Sequence, residues 1–301
     1  MTLSSPTALA TSDVTLDDEF RLIVQGQDRR GIVAAISAAI TEAGGQIVSL
    51  DQYSTDAQAG RFHQRTVVRI ADLAVIRDSL ESTLDRVVRE ELGLRWELID
   101  SSKPKRIAIF ASKTDHCLLD LLWRQRRGEL PISVQMVISN HPDLADDVRS
   151  FGVPFHHVPV MAGDKAAAEA EHLGLLAGNV DLVVLARYMQ IISGDFIREV
   201  GVPMINIHHS FLPAFVGSGP YKKAKERGVK LIGATAHYVT EDLDEGPIIE
   251  QDVVRVTHRA SAAELAQRGA DVERLVLARA VGWHCEERVL RNGTSTVVFD
   301  R

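Results

Sequence analysis

Between residues 20 and 98 the spacing of apolar positions switches back and forth between two periods. Phe20, Leu22 and Val24 alternate with other residues, the pattern of a strand with one buried face. After Gly31, the residues Ile32, Ile36 and Ile40 recur at helical spacing, and Gly44-Gly45 ends that helix. Strands are predicted from about Ile47 to Tyr53 and from Phe62 to Ile70, joined as a hairpin by the polar, glycine-containing stretch Ser54 to Gly60. Ile76, Leu80, Leu84 and Val87 mark a second amphipathic helix, and Leu94, Trp96 and Leu98 alternate in a closing strand. The order βαββαβ predicts a ferredoxin-like sandwich over residues 18–100, with two helices on one face of an antiparallel sheet.

Ser101-Ser102-Lys103-Pro104-Lys105 reads as a linker, and the pattern changes beyond it. Short apolar runs at Arg106 to Ala111, Val134 to Ser139, Phe155 to Val160, Asp181 to Ala186 and Met204 to Ile207 alternate with helical stretches. They predict βαβ units around a mostly parallel sheet, an α/β domain over residues 104–301. Its first strand runs into Ser112-Lys113-Thr114-Asp115-His116, a turn without glycine. Neither a GxGxxG fingerprint nor a GxxxxGK[ST] loop is present, so nicotinamide and nucleoside triphosphate ligands lose their main support.

Composition narrows the partners. The chain has 301 residues, enough for two cores, and no apolar run of 18 residues to span a bilayer, so no membrane partner is expected. A net charge of −7 with scattered basic residues disfavours nucleic acid. Cys117 and Cys285 are the only cysteines, too few for a disulfide framework and without zinc-site spacing, which predicts a reducing, cytoplasmic setting. Met1 to Asp18 lacks a basic start followed by an apolar stretch and reads as a frayed tail instead of a secretory signal.

In an open α/β sheet, ligands bind beyond the carboxyl ends of the strands, where Asn206-Ile207-His208 falls. Period-two alternation puts Asn206 and His208 on one side. Hydrolysis of an amide, one reaction open to an Asn, a His and a carboxylate, needs a donor for the developing oxyanion, a group to protonate the leaving nitrogen and a carboxylate to orient or deprotonate water. Asn206 and His208 suit the first two roles, and Asp244, in the turn Asp242-Leu243-Asp244-Glu245-Gly246-Pro247, suits the third. Taken alone, an Asp in such a turn is commonly only a turn residue, and an Asn-x-His triplet is not by itself a site. The pair His156-His157 is read as structural or solvated, because neighbours on a strand point to opposite faces.

Three segments change that balance: Asn206-Ile207-His208-His209-Ser210-Phe211-Leu212-Pro213, Gly233-Ala234-Thr235-Ala236-His237-Tyr238-Val239 and Asp244-Glu245-Gly246-Pro247-Ile248-Ile249. Together they resemble the signature of the folate-dependent formyltransferase superfamily. Within it the chain is most similar to the formyltetrahydrofolate deformylase family, from about Phe20 to Phe299. Phe62-His63-Gln64-Arg65, Asp115-His116-Cys117-Leu118, Ala186-Arg187-Tyr188-Met189-Gln190 and Pro213-Ala214-Phe215 carry the likeness to hydrolases over transferases.

The resemblance implies a formyltransferase-type, Rossmann-like catalytic domain behind an ACT-like regulatory domain. It implies hydrolysis of 10-formyltetrahydrofolate to formate and tetrahydrofolate, supplying formate and balancing one-carbon folate pools for purine synthesis. Asn206, His208 and Asp244 are then catalytic, with His237 in support. Tyr188, Met189, Gln190, Ile192 and Leu243 are implied substrate contacts, and neither a metal nor a cofactor is implied. Asp28 and Gly31, in Asp28-Arg29-Arg30-Gly31-Ile32-Val33, match the turn where ACT domains hold an amino acid such as glycine. Read without the family, Gly31 merely starts a helix. ACT-like pairing of sheets implies a homo-oligomer.

Ser218-Gly219-Pro220-Tyr221-Lys222-Lys223 departs from the family, which has a basic residue before Pro and a His soon after Tyr; Lys222 and Lys223 are candidate replacement charges. Two rivals compete with the hydrolase: a formyltransferase with an amine acceptor above the same triad, and an inactive amino-acid sensor, which has no chemical need for all three triad residues.

Overall fold

The structure, a computed structural model, describes residues 19–56, 60–71, 73–161, 163–213 and 219–300. The predicted frayed tail lies outside these residues, as do Ala214, Phe215 and Ser218. Backbone proximity divides the chain into two compact units, with the boundary between Lys103 and Pro104.

The first unit has a four-stranded antiparallel sheet built from β1 (Glu19–Gln27), β2 (Gln46–Ser54), β3 (Arg61–Arg69) and β4 (Arg95–Asp100), in the order β2-β3-β1-β4. Phe20, Leu22, Val24, Phe62 and Val68 from the sheet pack with Ile32, Ile36 and Ile40 of α1 (Ile32–Glu42). Leu80 and Leu84 of α2 (Leu73–Leu84) complete this core. Beyond Leu84 the helix widens into a π-helical stretch, Asp85–Glu91, that buries the adjacent Val87 and Val88. Apolar spacing of three and four carries no sign of this widening. The Phe62-His63-Gln64-Arg65 motif lies on β3 of this unit, where Gln25 bonds His63 at 2.9 Å and Arg65 pairs with Asp51 at 3.5 Å.

The second unit holds a seven-stranded sheet. Its strands are β5 (Lys105–Ala111), β6 (Ile132–Ser139), β7 (Phe155–His157), β8 (Leu182–Leu185), β9 (Met204–His208), β10 (Leu231–Tyr238) and β11 (Ile248–Arg255). The order is β11-β10-β9-β8-β5-β6-β7, parallel from β9 to β7 and antiparallel at β9-β10 and β10-β11. Helices α3 (His116–Arg126), α4 (Ala145–Ser150), α5 (Lys165–Leu176), α6 (Gly194–Val200), α7 (Pro220–Glu226) and α8 (Ala262–Cys285) connect or follow the strands, and β12 (Val289–Asn292) pairs with β13 (Ser295–Val298) as a separate hairpin. Ile107 and Ile109 face the core that contains α3 and α8, while Ala108 and Phe110 face the one that contains α5 and α6. Burial on both faces is why β5 reads as a continuous apolar run.

The expected strand from Phe155 to Val160 is shorter: β7 ends at His157. Val158 still donates to the Ser139 carbonyl at 2.9 Å, but Pro159 has no N–H to continue the ladder. Strand order reverses between β5 and β8, because β6 lies on one side of β5 and β8 on the other. Such a reversal leaves a crevice at the carboxyl ends of the two strands.

Candidate active site

Asn206 and His208 end β9, the strand beside that crevice. The β9-β10 register sets Asn206 opposite His237 and His208 opposite Thr235. Asn206 Nδ2 therefore reaches His237 Nε2 at 3.2 Å. The His237 Nδ1–H donates to the Tyr238 carbonyl at 2.9 Å, so Nε2 of the neutral ring accepts from Asn206. A bulge between Ala236 and His237 in the pairing with β11 sets the local aim of His237.

Asp244 arrives on the loop between β10 and β11 with a left-handed backbone, φ 58°. The loop is pinned where Gly246 crosses β10: a Cβ there would meet the Tyr238 carbonyl oxygen at 1.7 Å, so only glycine fits. The pinned loop places Asp244 Oδ2 3.1 Å from His208 Nδ1 and Oδ1 3.6 Å from His237 Nε2. The hydrogen bond from His208 holds the Asp244 carboxyl well below its ordinary range despite burial. With Nδ1 donating to Asp244, His208 Nε2 is the buried ring nitrogen without a hydrogen-bond partner.

These groups line a groove of about 310 Å³ that also includes Tyr188, Met189, Gln190, Ile192 and Leu243. The structure thus gathers the four candidate catalytic and supporting residues and the five candidate substrate contacts in one place. Met189 and Leu243 are 57% and 60% exposed, an apolar surface of the kind that covers a ligand. Tyr188 contributes differently: it is buried, edge-on to Phe110 at 5.2 Å, and forms wall more than contact surface. The loop holding these residues hangs from Ser112, whose hydroxyl accepts from the Met189 N–H at 3.0 Å and donates to Asn140 Oδ1 at 2.7 Å. Ser193 caps α6 at the other end of the loop and bonds Glu169.

Beside His208 lies a second polar cluster that sequence reading did not assemble. Glu273 of α8 is 2% exposed. Its carboxylate accepts from Tyr221 Oη, contacts His116 Nε2 at 2.9 Å and pairs with Arg187 Nε at 3.4 Å. Burial alone would raise its pKa, but the bonds to His116 and Tyr221 and the charge of Arg187 bring it down to about 2. Gly269, one turn earlier on α8, makes room for the Tyr221 ring, since a Cβ there would lie 1.9 Å from Oη. His209 stacks edge-on between His208 (5.2 Å) and Tyr221 (6.2 Å), and burial, helped by Arg187, lowers its pKa to about 4. Arg187 has φ 63°, a left-handed backbone that costs a non-glycine residue about 1 kcal/mol or more. His116, Cys117 and Glu273 bring possible metal-ligand atoms within 4.8 Å of one another. Burial keeps the Cys117 thiol protonated, however, and Arg187 already supplies positive charge there. The sequence signals for this cluster were the motifs around His116 and Arg187; nothing local pointed to Glu273.

In the first unit, Gly31 is the left-handed N-cap of α1, and Asp28 donates its N–H to the Gly60 carbonyl at 2.8 Å. No described helix is long and apolar enough to cross a membrane.

A switch-point groove in a mostly parallel sheet, with an Asn, His and Asp cluster at its wall, places the second unit in a recognised class. Residues 105–281 match the formyl transferase family. The whole chain belongs to the formyltetrahydrofolate deformylase family. It is 57% identical over 279 residues to the formyltetrahydrofolate deformylase of Mycobacterium tuberculosis, covering 93% of this chain and 90% of that one. The crystal structure of a formyltetrahydrofolate deformylase from Pseudomonas syringae pv. tomato superposes with a TM-score of 0.87 at 46% identity, covering 94% of each chain. Glycinamide ribonucleotide transformylase 1 from Symbiobacterium toebii superposes with a TM-score of 0.61 at 32% identity, covering 65% of this chain and 94% of that one.

Proposed function

We propose that the groove hydrolyses 10-formyltetrahydrofolate to formate and tetrahydrofolate through Asn206, His208 and Asp244. The enzyme is a hydrolase, with water as the second substrate and no cofactor. The observation that carries the residue roles is Asp244 bonded to His208 Nδ1 while His208 Nε2 stays unpaired beside Asn206. The bond to Asp244 fixes the orientation of the His208 ring and leaves Nε2 as the nitrogen available to the substrate. Asn206 uses one amide N–H on His237 and has a second to offer.

Water adds to the formyl carbon, and the oxyanion is held by Asn206 and His208. Collapse breaks the bond to the folate nitrogen, which takes a proton from His208, and the proton released by the added water returns to His208 as formate forms. Asp244, held as a weak base, orients the water electrostatically and fixes His208. His237 in turn aligns Asn206 and borders Asp244. Tyr188, Met189, Gln190, Ile192 and Leu243 wall the pterin end. Incubation with 10-formyltetrahydrofolate and no acceptor tests this: formate and tetrahydrofolate should appear in equal amounts, and an acceptor requirement would refute it.

The first unit is an ACT-like domain that binds an amino acid, glycine first, near Asp28 and Gly31. Four-stranded antiparallel architecture and free backbone N–H groups at the start of α1 support this reading. Its sheets pair between chains in a homo-oligomer. Calorimetry should show glycine binding that disappears in Asp28→Ala; no binding at millimolar glycine would remove the regulatory role and leave the hydrolase intact.

A further inference from the structure

We propose that Arg187, ion-paired with Glu273, closes the groove to amine nucleophiles and so reserves the formyl carbon for water. The proposal rests on the hydrolase reading above. The lining of the groove is of two chemical kinds: Met189, Ile191 and Leu243 offer exposed apolar surface suited to a flat ring, while Arg187 and His209 are polar. His209 meets the His208 ring edge-on at 5.2 Å and lies within electrostatic reach of Arg187, so the polar part of the lining adjoins the catalytic histidine.

Arg187 is an expensive residue for its position. Its backbone is in the left-handed region, where glycine is relaxed, and its side chain is only 13% exposed. The charge is compensated by Glu273, itself nearly inaccessible and clamped by His116 and Tyr221. None of this is needed to orient Asn206, His208 or Asp244, whose bonds run among themselves and to His237. A fixed guanidinium repels an ammonium ion, and it opposes the positive charge that grows on an amine nitrogen as it attacks. Water is small enough to be held at Asp244 without crossing that barrier. The transformylase neighbour shows that the same sheet can serve a ribonucleotide amine, so side chains lining the groove are where the two activities can part.

Transfer to an amine requires no other reactant. The amine nitrogen bonds to the formyl carbon, the bond to the folate nitrogen breaks, and the proton lost by the amine ends on the folate nitrogen, with no redox change. The test compares the full-length protein with Arg187→Gly and Arg187→Gly/Glu273→Gln. Glycine suits the left-handed backbone, and Gln removes the carboxylate left without its cation. Each is given 10-formyltetrahydrofolate with and without concentrated glycinamide, and N-formylglycinamide and formate are measured by mass spectrometry.

The wild type should yield formate alone, unaffected by the amine. The variants should raise the ratio of formylated amine to formate by about tenfold or more, in proportion to amine concentration. Folded variants that hydrolyse but transfer no more than wild type overturn the proposal. So do folded variants that lose both reactions, since Arg187 would then belong to the hydrolytic machinery. If the double variant does not fold, the single variant decides. Failure of the wild type to release formate without amine would instead strike the hydrolase reading.

Discussion

Replacing Asp244 with Asn removes one charge and almost no volume, so its effect isolates what the carboxylate does. In the native site Oδ2 accepts a hydrogen bond from His208 Nδ1 at 3.1 Å. A hydrogen bond to a charged partner contributes about 1.5–3 kcal/mol. If that bond is fully made in the transition state, its loss alone slows turnover by about ten- to 150-fold. The amide also lacks the charge that orients water, so the whole reduction in kcat is expected at about 10²- to 10⁴-fold, the upper figure being the scale seen when a catalytic histidine loses its carboxylate partner. Formate release at saturating 10-formyltetrahydrofolate measures it, with circular dichroism as the check on folding. A folded variant with kcat within about fivefold of wild type would refute the reasoning.

Stability provides a second reading of the same substitution. The folded-state pKa of Asp244 lies below its ordinary value, so ionisation of this group favours the folded state. That contribution is complete above the unfolded value of about 3.9 and is lost as pH falls toward the folded-state value. The difference in urea midpoint between wild type and Asp244→Asn should therefore shrink between pH 7 and pH 3. A difference that grows on acidification would contradict the sign.

Ser112→Ala leaves the Met189 N–H and Asn140 Oδ1 without their buried partner. A loss of about 1–3 kcal/mol in chemical denaturation is expected, with KM raised more than kcat is lowered because the loop lining the groove loosens. Leu243 is 60% exposed in the free protein, so Leu243→Ala should leave the melting temperature nearly unchanged. It should raise KM by about three- to tenfold through lost apolar contact with substrate, and an unchanged KM would remove Leu243 from the binding surface. Prolonged dialysis against EDTA should leave activity intact, because protein side chains fill every catalytic role; restoration by an added divalent metal after loss would show otherwise.

Much of the candidate site is readable along the chain because it is local. Asn206 and His208 are two residues apart at the end of a strand, and strand alternation relates them before any tertiary contact forms. Asp244 sits in a turn whose Asp-x-Asp-Glu-Gly-Pro composition announces a tight loop. The first unit is legible for the same reason: Ile32, Ile36 and Ile40, or Phe20, Leu22 and Val24, encode which face is buried. The π-helical widening at Asp85–Glu91 is not legible, since it depends on burying Val87 and Val88 together against the sheet.

The order of elements, their buried faces and the short motifs at strand ends and turns follow from the chain alone, because all are properties of neighbours within a few residues. Tertiary structure alone decided which distant residues meet. The β9-β10 register brings Asn206 to His237, and the crossing at Gly246 brings Asp244 to His208. Packing of α8 beside α3 and α7 gathers His116, Arg187, Tyr221 and Glu273, which are spread over more than half of the chain. The left-handed backbone at Arg187 belongs to this second group. No spacing rule encodes it, because the side chain's partner, Glu273, comes from α8 and is in place only once the helices have packed against the sheet.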